Sequence, residues 1–432
     1  MILRDPVHGL IAFESDEERV VETLLDTKEV QRLRRIRQLG FASLAYPGAE
    51  HTRFSHAIGA TYVMKRLLAR LRELDRSIAP EHRLNPQLTR DALAAALLHD
   101  IGHGPLSHMF EGTLPRSEPH ESWTKRIIQD PNSQVNKALT NIDPEMPSRV
   151  TQLIAGQHPF TYLAHAVSGT FDVDRCDYLL RDAHATGVRY GNYDLDWLQR
   201  SLRFAPPPPD GTPPALAVDG AKGMAAIESF ILSRLFMFQQ VYLHKATRAA
   251  EWMVRTILRR AVHLISNGAN LPSVPQAFRT AAIGQTPSLD QYHALDDTSL
   301  TTALHEWEEC ADPALADLCK RQRARKLFKT ISLPNHPNAQ RRIDMITGIA
   351  SDITEKAGLD PKIYLGIDVA TTTPFDGNED NLLVVFAKGP PQRPVDVSFI
   401  LGCIDAKELR RTLLIVAPEV RNDILKAIDA PT

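Results

Sequence analysis

Cysteine is scarce in this sequence, which has four cysteines among 432 residues. Cys176, Cys310, Cys319 and Cys403 lie far apart and form no CxxC pair, which excludes a zinc-finger spacing and a disulfide framework. Scattered thiols of this kind are typical of a reducing compartment, so we expect a cytoplasmic location.

Long apolar runs and an excess of charge are also lacking. The longest apolar runs, such as residues 92–98, are far shorter than the roughly 18 residues that span a bilayer, and the N-terminus does not resemble a signal peptide. The chain carries 50 basic and 52 acidic residues, a net charge of -2. We therefore expect no membrane association, and nothing in the overall charge favours nucleic acid as a partner.

Hydrophobic periodicity indicates a mainly α protein. Apolar residues at helical spacing predict helices over residues 18–38, 56–74, 89–100, much of 120–202, and 224–266. The run PPPPDGTPP at residues 206–214 excludes regular helix, so residues 203–218 are interpreted as an excursion that forms a short strand pair. Residues 267–300 are polar and are expected to be rich in loops.

The last hundred residues differ from the rest of the chain in their hydrophobic pattern, which favours strands. Apolar and β-branched runs predict strands over residues 363–367, 382–386 and 398–401, and residues 409–425 are predicted to be helical with a proline break. We therefore expect a helical body over residues 1–330 and a small α+β region over residues 331–432.

The strongest chemical signal is His99 beside Asp100 at the end of a buried apolar helix. Either side chain is costly to bury unpaired, and a divalent metal such as Fe, Mn, Zn, Co or Ni is a suitable partner. An isolated His-Asp pair is usually hydrogen-bonded core. Here His56 lies at the start of the preceding helix and Asp174 lies in the run FDVDRCDY at 171–178, and a bundle could bring all four groups to one centre.

The order of His56, His99-Asp100 and Asp174 resembles the HD superfamily of metal-dependent phosphohydrolases. Local motifs resemble its deoxynucleoside triphosphate triphosphohydrolase branch. These motifs are DPVHG at 5–9, HTRFSH at 51–56, HDIGHGPLSHMF at 99–110, DVDRCDY at 172–178 and YLHK at 242–245. The resemblance covers residues 2–260 in order, so it implies an HD-domain helical bundle within residues 1–330.

The resemblance implies a reaction and its cofactor. His56, His99, Asp100 and Asp174 would hold a divalent metal, which could be Mg or one of the ions named above. The reaction would be hydrolysis of dNTPs to deoxynucleoside and inorganic triphosphate. One alternative is another HD reaction, on a phosphodiester or a nucleotide phosphate. A second alternative is a nucleotide-sensing or single-stranded DNA-binding protein with weak catalysis, which the net charge does not favour.

The resemblance also assigns catalytic and substrate-binding residues. His120 would protonate the leaving oxygen with Glu121 orienting it, His103 would stabilise the α-phosphate, and His108 is a further candidate. Each histidine could instead be structural, and Tyr242 could be core. The positions that match substrate contacts are Gln38, Leu39, Arg53, Arg175, Tyr178, Asp182, Arg234 and Tyr242.

The sequence departs from the family pattern at the rim of the site. Arg175 stands where the family has lysine, and Phe-Gln-Gln at 238–240 replaces His-Arg-Arg, so base preference stays open. Asp26 and Arg34 match two positions of a regulatory guanine site. The resemblance therefore implies activation by dGTP or GTP and a homo-oligomer, either dimer or tetramer.

Overall fold

Helices make up most of the secondary structure, which confirms the predicted mainly α class. The computed structural model describes residues 1–106, 112–115, 118–207, 209–335, 337–376 and 382–429. Within these ranges, no helix combines the length and apolarity that crossing a bilayer requires.

Within the described ranges, ten helices build the N-terminal bundle. They are α1 Arg19–Leu25, α2 Lys28–Arg32, α3 Arg53–Leu74, α4 Pro86–Leu98, α5 His120–Gln129, α6 Gln134–Ile142, α7 Met146–Ile154, α8 Thr161–Val167, α9 Val173–Thr186 and α10 Leu195–Arg200.

The remaining helices begin after the proline-rich excursion. They are α11 Met224–Met237, α12 Lys245–Ser266, α13 Gln276–Ala282, α14 Leu289–His293, α15 Asp297–Glu306, α16 Pro313–Arg323, α17 Gln340–Lys356, α18 Pro361–Tyr364, α19 Pro394–Val397, α20 Phe399–Ile404 and α21 Arg421–Asp429.

Three small sheets accompany the helices. One is the antiparallel hairpin of β1 and β2, and a second joins β3 antiparallel to β4 with β7 parallel to β4. In the third, β8 is central and antiparallel to both β5 and β6. The strands are β1 Ile2–Asp5, β2 Gly9–Ala12, β3 Leu202–Phe204, β4 Leu216–Asp219, β5 Lys329–Ser332, β6 Leu365–Thr372, β7 Leu383–Val385 and β8 Leu409–Val416.

One sequence prediction in the N-terminal part was wrong. The helix predicted over residues 18–38 is three short elements, because Thr27 leaves helical geometry and its side chain caps α2 by accepting from the Val30 amide. Residues 267–300 are rich in loops, as expected, and also contain the short helices α13 and α14 and the start of α15. Polar residues there cap helices, as Ser288 does in a capping box.

Two further predictions were wrong near the C-terminus. Residues 398–401, predicted as a strand, begin helix α20, since the Ser398 side chain caps it by accepting from the Leu401 amide. The helix predicted over residues 409–425 is strand β8 followed by α21. The apolar half of β8 is buried between β5 and β6, and that pairing decides its conformation.

Helices α3, α4 and α9 pack together and position the candidate site. Asn85 caps α4 by accepting from the Leu88 amide, with Pro86 at the first helical position. Asp172 caps α9 by accepting from the Arg175 amide, and Gly187 ends it with φ of 76°. These caps fix where α4 and α9 begin. His99 at the end of α4 and Asp174 in the first turn of α9 both lie close to His56 of α3.

The described apolar side chains form two buried clusters. One extends from residue 11 to residue 241 and includes Phe375, Leu382, Val384 and Leu401; the other is built mainly from α12 onward. The α+β strands therefore contribute to both clusters. The predicted domain boundary at residue 330 stays a prediction.

Candidate active site

Four side chains converge where α3, α4 and α9 meet. His56 Nε2 lies 3.0 Å from Asp174 Oδ1 and 3.3 Å from His99 Nε2, and His99 Nε2 lies 3.5 Å from Asp174 Oδ1. Asp100 oxygens lie 3.5 Å from His99 Nε2 and 3.8 Å from His56 Nε2. Ligands about 2.1 Å from one ion are separated by about 3 Å, so the atoms of His56, His99 and Asp174 fit a divalent metal, and Asp100 adjoins them.

Hydrogen bonds orient both imidazoles of this group. His56 Nδ1 lies 2.8 Å from Asp177 Oδ2, and His99 Nδ1 lies 2.8 Å from the Ala96 carbonyl oxygen. Because both partners accept, each Nδ1 carries a proton and each Nε2 faces the centre, where a metal ion can displace the Nε2 proton and bind the lone pair. This is the tautomer that a metal-ligating histidine requires.

The pKa values of His56 and Asp174 shift in the direction that favours positive charge at this centre. Burial lowers the pKa of His56, but hydrogen bonds to Asp174 and Asp177 outweigh burial and raise it to about 10. Burial raises the pKa of Asp174, yet contacts with His56 and His99 bring it below its ordinary value. The carboxylates thus hold positive charge on the imidazoles, and a divalent ion can take the place of those protons.

A second polar group adjoins the first through Asp100. Asp100, His103 and His120 place one ligand atom each within 4.8 Å of one another, and the two imidazoles stack with centroids 3.7 Å apart. Arg53 donates a hydrogen bond to Asp100. Burial and the Arg53 charge lower the pKa of His103 to about 3, so this imidazole is neutral at physiological pH.

A cavity of about 710 Å³ opens onto both groups. Asp100, Asp174, His103 and His120 form its metal end, with Arg53 beside them. Its walls also include predicted substrate residues, and these are Gln38, Leu39, Tyr178, Asp182 and Tyr242. The size falls within the range of ordinary small-molecule sites.

Hydrogen bonds to Asp182 hold another wall of the cavity. The Tyr242 hydroxyl donates to Asp182 Oδ2 at 2.8 Å, and His51 Nε2 lies 2.7 Å from Asp182 Oδ1. Tyr178 packs edge-on against Tyr242 with ring centroids 6.3 Å apart. The Tyr242 ring is therefore fixed in place before any ligand binds.

Two family profiles and several known proteins match this chain. The HD domain profile matches residues 53–181, and the profile of the HD associated region matches residues 214–273. The chain is also 34% identical to the uncharacterized protein YwfO of Bacillus subtilis, over 89% of this chain and 84% of YwfO. The chain belongs to the HD-domain superfamily.

Other relatives place this HD-domain protein within the superfamily. It is 32% identical to the deoxynucleoside triphosphate triphosphohydrolase SAMHD1 of Danio rerio, over 47% of this chain and only 36% of that protein. A phosphohydrolase from Bacteroides thetaiotaomicron has a similar structure, with a TM-score of 0.81, 28% identity, and coverage of 96% of this chain and 99% of that one. The HD-domain protein is thus an HD-type phosphohydrolase.

Several residues assigned from the HD resemblance lie away from the cavity lining. Arg234 Nη1 donates to the Pro374 carbonyl at 2.7 Å, Arg175 Nη1 donates to the Gly169 carbonyl at 2.6 Å, and Glu121 is exposed with Oε2 3.4 Å from His120 Nδ1. Their substrate and catalytic roles stay predictions. His108 lies outside the described residues.

The predicted regulatory residues of the HD-domain protein are both at the surface. Asp26 is the exposed C-cap residue of α1, and Arg34 is exposed with its guanidinium 3.6 Å from the centre of the Phe54 ring. Nucleotide activation, oligomeric state and cytoplasmic location stay predictions.

A buried charge network behind His56 was missed in the sequence. Asp177 is fully buried and contacts His56, His8 Nε2 at 2.6 Å, and Arg181 at 2.8 Å and 2.9 Å. Arg181 also donates to Asp5 Oδ2 at 2.8 Å. The β1–β2 hairpin thereby fixes the carboxylate that orients a predicted metal ligand.

One residue in the sequence signals this network. A Cβ at Gly59 of α3 would lie 1.9 Å from Asp177 Oδ1 and 2.2 Å from Arg181 Nη2, so only glycine admits them. A glycine lowers the stability of a long helix, and the close approach of Asp177 and Arg181 explains why glycine occupies position 59.

Proposed function

We propose that this HD-domain protein hydrolyses deoxynucleoside triphosphates to deoxynucleoside and inorganic triphosphate. The observation that carries the proposal is the single cavity that joins the metal-ligand group to the Tyr242–Asp182 wall. A substrate spanning both must present a phosphate at one end and a flat, partly apolar group at the other. A nucleotide has this form.

The Tyr242 wall supports a deoxyribose site. The phenol ring, held by Asp182 and flanked by Tyr178, offers an apolar face beside a polar rim, which suits a sugar ring. Gln38 and Leu39 line the same cavity and supply an amide and an apolar contact. A tyrosine packed against the 2′ carbon leaves no room for a ribose hydroxyl, which favours the deoxy form.

The metal end supports cleavage at the α-phosphorus. When bound at His56, His99, Asp100 and Asp174, a divalent ion supplies water activation and polarises a phosphoryl oxygen. His103 is neutral and donates a hydrogen bond to the α-phosphate. The bond from the water oxygen to phosphorus forms, the bond from phosphorus to O5′ breaks, and His120 gives O5′ a proton.

Product analysis with purified protein tests the proposal. Each dNTP and each ribonucleotide would be incubated with Mn²⁺ or Mg²⁺, with and without dGTP or GTP as activator, and products resolved by ion-exchange chromatography. We expect deoxynucleoside and inorganic triphosphate from dNTPs and much slower turnover of ribonucleotides. Pyrophosphate with nucleoside monophosphate as products would overturn the proposed reaction.

Tyr242→Phe should weaken turnover without disrupting the fold. The change removes the hydroxyl that donates to buried Asp182, a loss of about 1.4 kcal/mol, and the ring then loses its fixed orientation. We expect kcat/KM for dNTPs to fall about ten-fold. Tyr190→Phe, at an exposed tyrosine, is the matched control and should leave kcat/KM unchanged. Equal rates for both variants would remove Tyr242 from the sugar site.

A further inference from the structure

One wall of the cavity has no part in the site described above. Helix α12 contributes Thr247, Arg248, Glu251 and Arg255, which recur at helical spacing on one face, and β6 contributes residues 369–371. This wall, called here the α12 wall, follows Tyr242 along the chain, and none of the residues at the metal end of the cavity belongs to it. Its chemistry therefore bears on the part of a nucleotide that lies beyond the sugar.

Thr247 gives the first indication of a ligand. Its side chain is 3% exposed and lines the cavity, and its hydroxyl has no hydrogen-bond partner in the described part of the chain. Gln38 Oε1, on another wall of the same cavity, is likewise buried and unpartnered within those ranges. Buried polar atoms almost always have a partner, so a polar ligand is the expected one.

Arg255 gives the second indication. Arg248 is fully engaged, since it donates to both oxygens of Asp368 at 2.6 Å and 2.8 Å and to Glu251 at 2.8 Å. Arg255 is only partly exposed and makes no hydrogen bond or ion pair with any residue that the structure describes. Its guanidinium is thus a donor available to whatever occupies the cavity.

The charge of the α12 wall favours an uncharged group over a triphosphate. Glu251 and Asp368 both pair with Arg248, and their two negative charges equal the positive charges of Arg248 and Arg255, so the wall offers directed donors without a strong positive field. A triphosphate carries about four negative charges and needs cations in excess. The base of a nucleotide is uncharged and needs donors and acceptors at defined positions.

We propose that the α12 wall binds the nucleobase and that Arg255 selects guanine. The inference rests on the proposed function. A guanidinium has donors only, arranged as a fork, and guanine presents two adjacent acceptors, O6 and N7, that match the fork. Adenine has an amino group where guanine has O6. This hydrogen-bond donor would face the Arg255 guanidinium, which also has only donors.

The test compares Arg255→Ala and Arg255→Lys with the parent protein. We expect the parent to turn over dGTP with a kcat/KM about ten- to hundred-fold above that for dATP, and both variants to lose most of this ratio. Lysine keeps the charge but not the fork, so a retained preference in Arg255→Lys would contradict bidentate recognition. Arg259→Ala, at an exposed arginine one turn along α12, is the control and should keep the ratio.

A binding measurement separates this inference from the proposed reaction. Calorimetry with deoxyguanosine and deoxyadenosine needs neither metal nor hydrolysis, and we expect deoxyguanosine to bind at least ten-fold more tightly, with Arg255→Ala removing the difference. Equal loss of kcat/KM for all four dNTPs, or equal binding of both nucleosides to the parent, would overturn the inference. If no dNTP is hydrolysed but deoxyguanosine still binds selectively, the proposed reaction is refuted and the proposed base site is supported.

Discussion

We expect Asp174→Asn to lower kcat for dNTP hydrolysis by about 10³-fold or more, equivalent to about 4 kcal/mol of transition-state stabilisation. Asp174 Oδ1 lies 3.0 Å from His56 Nε2 and 3.5 Å from His99 Nε2, so it completes the group of predicted ligands. The amide keeps the shape of the side chain but removes the negative charge that favours a cation.

Metal content distinguishes this effect from misfolding. Elemental analysis after dialysis should give close to one bound divalent ion per chain in the parent protein and much less in Asp174→Asn, while circular dichroism stays unchanged. Asp196→Asn, at a surface carboxylate that pairs with Arg66, is the control and should keep both metal and activity. Full metal occupancy and full activity in Asp174→Asn would exclude the proposed ligand set.

The second large effect is expected from Asp177→Asn. This carboxylate is fully buried, and three donor side chains surround it, so the neutral amide leaves the charge of Arg181 opposed only by Asp5. Breaking a buried ion pair costs about 3 to 5 kcal/mol, and we expect the free energy of unfolding to fall by about 3 kcal/mol. Metal affinity should fall about ten- to hundred-fold, because His56 loses its orienting partner.

Urea titrations at several pH values test this account of Asp177. Burial raises its pKa, but Arg181 and the two histidines outweigh burial and hold the pKa well below the usual range for a carboxyl group. The stabilisation is therefore present above about pH 4 and is lost as the pH falls below that value. A stability difference between the parent protein and Asp177→Asn that grows on acidification would contradict the network.

The metal end of the site could be predicted because its signals are local. His99 and Asp100 follow a helix that is apolar nearly all round, and burial of two polar groups there needs a partner whatever the fold. The order of the ligands and the motifs around them then carried the resemblance. The structure groups His56, His99 and Asp174 and places Asp100 in the adjoining group, on or at the ends of the predicted helices α3, α4 and α9.

Other parts of the fold depend on contacts that a linear pattern does not contain. The apolar run of β8 reads equally well as helix or strand, and its pairing with β5 and β6, distant in sequence, decides between them. Thr27 interrupts a run with good helical spacing because its side chain and carbonyl begin a new helix. Tertiary pairing and capping thus override periodicity at these places.

The α12 wall and the Asp177 network could not be predicted for a similar reason. Arg248 pairs with Asp368, 120 residues away, and the motif resemblance ends near residue 260. His8 reaches Asp177 only because the β1–β2 hairpin packs against α9. Gly59 alone hinted at close packing in that region, and a single helical glycine does not identify what approaches it.

Hydrolysis in water enriched in ¹⁸O tests the central claim most directly, because the label shows which bond breaks. The products of dGTP hydrolysis in the presence of Mn²⁺ would be separated, and their masses would be measured by mass spectrometry. Attack on the α-phosphorus with O5′ leaving predicts one ¹⁸O atom in inorganic triphosphate and none in deoxyguanosine. Label in a nucleoside monophosphate, with unlabelled pyrophosphate beside it, would contradict the account.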